Sequence, residues 1–199
     1  MPKGDTEKIL SIANANNGIV TASMVSEAGI SRECLRLLAA DGRLERSARG
    51  VYYVNGIIAD EFFNAHSMFK RGIFSHETAL FLHGLTETTP VALSMAFPTA
   101  YNYSGAKSFG IICHSESIKF YKSGMEYATT PYGNKVPTYN AERSLCDMLR
   151  TISHSDIQTV AAAFRKYVAR PGADIPLLSH FSKELKVEKK LRSYLEVLL

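Results

Sequence analysis

Cysteine is scarce in this 199-residue chain, and the three present, Cys34, Cys113 and Cys146, form no C-x-x-C pair. That spacing argues against a zinc ribbon and a disulfide framework, and it fits a reducing compartment, the cytoplasm. No stretch approaches the roughly 18 consecutive apolar residues of a membrane span. The polar opening, Met-Pro-Lys-Gly-Asp-Thr-Glu-Lys, has no apolar run behind it and does not read as a signal peptide. Catalytic signatures are missing too. G-x-S-x-G, the P-loop, G-x-G-x-x-G and H-E-x-x-H do not occur, so acyl transfer, nucleotide chemistry and zinc hydrolysis have no handle. The six histidines are scattered. His76 and His83 could share a helix face, but no third ligand stands at metal spacing. Glu184-Leu-Lys186 resembles a nuclease spacing but has no acidic strand upstream. The expectation is no enzyme, no cofactor and no metal.

What is present is an ordinary globular composition, 46% hydrophobic and 21% charged, which can bury a core without staples. The net charge of +4 is unevenly spread. The middle of the chain is close to neutral, while the last 35 residues carry eight basic and four acidic side chains. All five arginines of the first 55 residues fall between Arg32 and Arg49. Such clustering matters more for phosphate binding than the total.

Residues 1–55 read as a winged helix-turn-helix. Asp5 or Thr6 is the expected cap of a first helix carrying Ile9, Leu10, Ile12 and Ala13, stopped at Asn16-Asn17-Gly18. Thr21 caps a short second helix with Met24, Val25 and Ala28 apolar, ended by Gly29. Ser31 caps a third, Arg32 to Asp41, closed by Gly42. At 100° per residue the third helix places Cys34, Leu35, Leu38 and Ala39 on one arc, and Arg32, Glu33, Arg36 and Ala40 on the other. An apolar back and an arginine-bearing front suit a helix that enters the major groove. The arginine fork can grip guanine or phosphate with two bonds. Residues 43–54 then read as two strands around a glycine turn, a wing with Arg43, Arg46 and Arg49 on it or at its tip. Thr21, Ser31, Arg32, Arg36, Arg43, Arg46 and Arg49 are therefore the candidate DNA-binding residues.

The remainder, residues 56–199 after an Asn55-Gly56 hinge, reads as a mixed α/β domain with a helical C-terminal third, which makes the chain α+β. Helices are expected at 60–70 and at 76–83, the second capped by Ser75. Strand-like runs follow at 92–97, 109–114, 118–121 and 125–129. Helices are then expected at 141–151, 156–170, 175–185 and 187–199, with caps at Asn140 and Ser155. Arg143 and Asp147, four apart on a helix, are expected as a structural ion pair. Arg165, Lys166, Lys186, Lys189 and Lys190 head a basic surface that reads as a solvated helix face, with a second role toward phosphate or an acidic partner left open.

The run GIVTASMVSEAGISRECLRLLAADGRLERSARGVYYV resembles the N-terminal domain of the AbiEi antitoxins of abortive-infection toxin–antitoxin systems. SHETALFLHGL at 75–85 and VPTYNAERSLCDMLR at 136–150 resemble that family's second domain. The resemblance implies an autorepressor that binds inverted repeats of double-stranded DNA in its own promoter. It also implies an antitoxin that counters an AbiEii-type, nucleotidyltransferase-like toxin, with or without touching it. The rival from another class is a protein-interaction module that caps its toxin directly, with DNA binding secondary.

Overall fold

The computed structural model describes residues 3–150 and 157–198, and it is a mixed α+β structure of two compact units. The first comprises Met1–Lys70 with Thr129–Lys135, the second Arg71–Ala128 with Val136–Leu199.

The first unit opens with helix α1 (Lys3–Asn14) and strand β1 (Ile19–Thr21), followed by helices α2 (Ala22–Glu27) and α3 (Glu33–Ala40) and the strands β2 (Leu44–Ala48) and β3 (Val51–Val54). α1 begins before the expected cap, so Asp5 and Thr6 lie inside its first turn, where an acid complements the exposed N–H groups. The Thr21 hydroxyl accepts the Met24 N–H at 3.3 Å and starts α2. Gly29, at φ +72°, ends it: the Gly29 N–H reaches the Ser26 carbonyl and the Ile30 N–H the Val25 carbonyl, a paired closure that a left-handed residue permits. Gly42 ends α3 in the same way, through Ala39 and Leu38. The three strands form a sheet in the order β1-β3-β2, antiparallel throughout, with an irregularity between Arg46 and Ala48. Ile9, Ala13, Val20, Val25, Ile30, Leu35 and Leu38 fill the core beneath it.

The unit extends past residue 55. Helix α4 (Glu61–Met68) is capped by Asp60, whose Oδ1 accepts the Phe62 and Phe63 N–H groups. Its Oδ2 accepts from Thr130 at 2.6 Å and from Asn134 at 2.8 Å. Fully buried Asp60 therefore has a hydrogen bond at each oxygen, which is how a buried carboxylate is tolerated. The Tyr53 hydroxyl accepts the Asp60 N–H and donates toward Asn64 Oδ1, and burial pushes its pKa up to about 12.

The second unit contains strands β4 (Ile73–Phe74), β5 (Ser94–Pro98), β6 (Ile112–Glu116), β7 (Met125–Thr129) and β8 (Lys135–Tyr139), in the order β6-β5-β4-β8-β7. β4 is antiparallel to β5 and parallel to β8, and β5 is parallel to β6. Its helices are α5 (His76–Leu82), α6 (Ser104–Ser108), α7 (Ile118–Tyr121), α8 (Ala141–Leu149), α9 (Ile157–Ala169), α10 (Ile175–Glu184) and α11 (Glu188–Leu198). Leu80, Leu145, Cys146, Phe164, Tyr167, Leu178 and Leu191 form its largest core. Two expectations are corrected. Residues 118–121 are a helical turn, because Ser117 holds an extended conformation that starts one and the Tyr121 N–H closes back on the Ser117 carbonyl. β4 and β8 lie where no strand is expected: β4 is only two residues long, and Lys135-Val-Pro-Thr-Tyr139 carries no regular alternation to announce it. The expected cap Ser155 and helix start Asp156 lie outside the described residues.

Candidate nucleic-acid interface

α3 has a two-sided character that follows from its spacing. Cys34, Leu35 and Leu38 are buried against the core, while Glu33, Arg36, Leu37 and Ala40 form one outward stripe, with Arg32 exposed at its N-terminal edge. Ser31 does not stand at the cap position, which Arg32 occupies without a side-chain bond. The Ser31 hydroxyl instead accepts the Glu33 N–H at 3.3 Å. Arg32 Nε donates to the Ser26 hydroxyl at 2.7 Å, so α2 steadies the guanidinium.

Two acids compete for the guanidinium groups here. Arg36 Nε donates to Glu33 Oε1 at 2.9 Å, and that hydrogen bond holds the Glu33 carboxyl below the usual carboxylate range. Arg43 Nε lies 2.9 Å from Asp41 Oδ2. Both pairs are exposed, so water screens them and a phosphate can replace the acid at little cost. On the hairpin, Arg46 is exposed and its Nε approaches the Ala48 carbonyl at 3.4 Å. Arg49 is exposed in the turn between β2 and β3, with no ion pair among the described residues. Gly50, at φ +75°, makes that two-residue turn possible, and its carbonyl accepts the Ala22 N–H, which ties the hairpin tip to the start of α2. Thr21 is half-buried and engaged as a cap, so it contributes position more than contact.

Leu37, 44% exposed, was absent from the sequence reading of this face. Its i+4 relation to Glu33 places it on the outward stripe, beside the arc that holds Arg32 and Arg36.

In the second unit the stretches 75–85 and 136–150 meet at one buried polar cluster. Arg143 is fully buried, with Nε 3.1 Å from Asp147 Oδ2. Its Nη1 donates to the Phe120 and Ser123 carbonyls at 2.8 and 2.9 Å, and its guanidinium lies over the Tyr139 ring at 4.2 Å. Arg150 bridges Glu116 and Asp147. Next to these groups the His76 and His114 rings stack, centroids 3.6 Å apart and 15° from parallel. Burial, then the neighbouring Arg150 and Arg143, pushes His76 down to about 3. Burial and His76 do the same to His114. His76 also holds a left-handed φ of +51°, an uncommon conformation for a side chain of its size. Near-parallel rings aim their lone pairs in parallel planes, so this pair does not converge on one ion. Among the described residues no three His, Cys, Asp or Glu side chains form a metal-ligand group. Opposed charges in a closed cluster fix α8 against β6, and sequence spacing could show only its Arg143–Asp147 edge.

The expected C-terminal basic strip is partly engaged. Lys166 Nζ lies 3.3 Å from Glu87, and Lys190 donates to the Leu149 carbonyl at the end of α8. Lys186 is exposed at φ +58° between α10 and α11, and Arg165 and Lys189 are exposed as well. Among the described residues no helix is long and apolar enough to cross a membrane.

Comparison with known proteins adds to this geometry. The fold is similar to that of the crystal structure of RV2827C protein from Mycobacterium tuberculosis, with a TM-score of 0.54 and 14% identity over 97% of this chain and 81% of that one. No curated protein matches the chain. Over residues 7–55, the segment that builds α3 and the basic hairpin, the chain matches the family described as transcriptional regulator, AbiEi antitoxin.

Proposed function

We propose that the chain is a transcriptional autorepressor and antitoxin whose first unit acts as a winged helix-turn-helix on inverted repeats in its own promoter. The observation that carries this reading is the exposed arginine-bearing face of α3 beside the basic turn at Arg49, in the segment that matches a regulator family. Arg43, Arg46 and Arg49 contact phosphate and set register, while Arg32 and Arg36 reach base edges. The antitoxin role counters a nucleotidyltransferase-like toxin of the AbiEii type and resides in the second unit, without covalent chemistry and within the cytoplasm.

The test is a mobility shift on DNA upstream of the chain's own gene, against scrambled DNA, across a salt series. Saturable binding to the upstream DNA alone, weakening steeply with salt, is the expected result. Arg32→Ala or Arg36→Ala is expected to cost about 1–3 kcal/mol and to relax sequence preference. Equal, weak binding to both DNAs would turn the first unit into a protein-contact module.

A further inference from the structure

A second basic surface lies in the second unit, remote in sequence from α3 and the hairpin. A cleft of about 420 Å³ is lined by Arg71, Pro98, Ala100, Tyr101, Ile118, Tyr121 and Lys122. Its size falls in the range of small-molecule sites, roughly 300–1,000 Å³. Three features decide its chemistry.

Its lining is positive. Arg71 and Lys122 are both exposed, and among the described residues no acid lines the cleft. Residues 98–122 contain a single acid, Glu116, which is buried and paired with Arg150 and Arg143, so its charge is withdrawn from the surface. Lys107 and Lys119 add to the positive field.

The cleft also carries braced aromatic rings. Tyr101 stacks on buried Phe97, centroids 5.4 Å apart and 8° from parallel, and Tyr103 stacks on the same Phe97 at 5.6 Å. The Tyr121 hydroxyl donates to the Arg71 carbonyl, which fixes that ring without using the guanidinium. Cations stand beside two of these rings: Arg71 over Tyr101 at 5.8 Å and Lys107 over Tyr103 at 5.2 Å. Finally, Ile118, 79% exposed, gives the cleft an apolar lip that the fold itself leaves open.

Aromatic rings interleaved with cations and free of acids recognise a flat base joined to a phosphate. We infer that this cleft binds a nucleotide unit, its base stacked against Tyr101 and Ile118 and its phosphate held by Arg71 and Lys122. The shared chemistry has two sources, a free nucleotide or one unit of a single strand. An oligonucleotide crossing the cleft would continue over Tyr103 and Lys107.

The experiment titrates the full chain with uridine, inorganic phosphate, uridine monophosphate and a short single-stranded oligouridylate, followed by ligand-observed NMR and fluorescence anisotropy. The monophosphate is expected to bind where uridine and phosphate do not; binding by the oligouridylate alone would assign the strand as the source. Arg71→Gln with Lys122→Gln is expected to weaken binding about tenfold or more, and Tyr101→Leu by a similar factor. All three side chains reach the surface, and thermal melting checks that each variant folds. Lys189→Gln, an exposed charge outside the cleft, is expected to leave binding unchanged. No binding of either nucleotide probe, full binding by the Arg71/Lys122 variant, or equal loss in Lys189→Gln would overturn the proposal.

Discussion

Glu33 is the residue on which the proposed DNA-reading face turns. It stands one helical turn before Arg36 and Leu37, and its carboxylate occupies the guanidinium that the proposed groove contact needs. An acid among phosphates is repelled, so its presence lowers affinity while restraining the arginine in one rotamer. Replacing it with Gln keeps the helix and the shape of the side chain. Glu33→Gln is expected to raise affinity for promoter and scrambled DNA alike, by about threefold to tenfold at low salt, with the gain fading as salt rises. The two DNAs titrated against the variant at two salt concentrations would decide it. A fall in affinity for the promoter alone would show instead that Glu33 reads a base, the carboxylate accepting from cytosine. Leu37 belongs to the same face for a different reason: an exposed apolar side chain beside an arginine can meet a thymine methyl.

Among the elements, β6 and the start of α5 carry the sharpest physical signature, the stacked His76 and His114. Both have folded pKa values near 3, below the ordinary 6.5. The unfolded chain therefore binds protons that the folded one refuses. The stability this gives is complete above about pH 6.5 and is lost as pH falls from there toward 3, at about 1.4 kcal/mol per pH unit for each proton. Urea unfolding at pH 7 and pH 5 is expected to show a marked loss at the lower value. His114→Phe, which keeps a flat ring against His76, is expected to remove a large part of that slope. An unchanged slope would place the acid sensitivity elsewhere. The cluster also marks how far sequence reaches. Contacts within one helix, such as Arg143 with Asp147, follow from spacing, and so do the glycine closures of α2 and α3. Asp60 with Thr130 and Asn134, or His76 with His114, join residues separated by dozens of positions, and no periodicity encodes such a meeting. The helical turn at Ile118–Tyr121 is unannounced for a related reason: Ile118 and Tyr121 line an open cleft, where burial does not set the period.

For the whole molecule the useful quantity is where charge is open. The net +4 would suit many proteins, yet the basic groups divide sharply into engaged and available. Arg143, Arg150, Arg170 and Lys190 close internal bonds, with Arg170 Nη2 3.1 Å from Glu142. Arg49 stays open, projecting from a two-residue turn that Gly50 and the Ala22 N–H hold in place. A phosphate contact made by such a residue releases a counterion, and this appears as the slope of log affinity against log salt, about 0.9 per phosphate neutralised. Arg49→Gln is therefore expected to lower that slope by about one and to weaken promoter and scrambled DNA equally, leaving their ratio intact. Arg36→Ala is expected to do the reverse, compressing the ratio with a smaller change in slope. The two variants measured side by side separate positioning from reading. If Arg49→Gln left the slope unchanged, the hairpin would not touch phosphate, and the exposed face of α3 would have to hold the duplex alone.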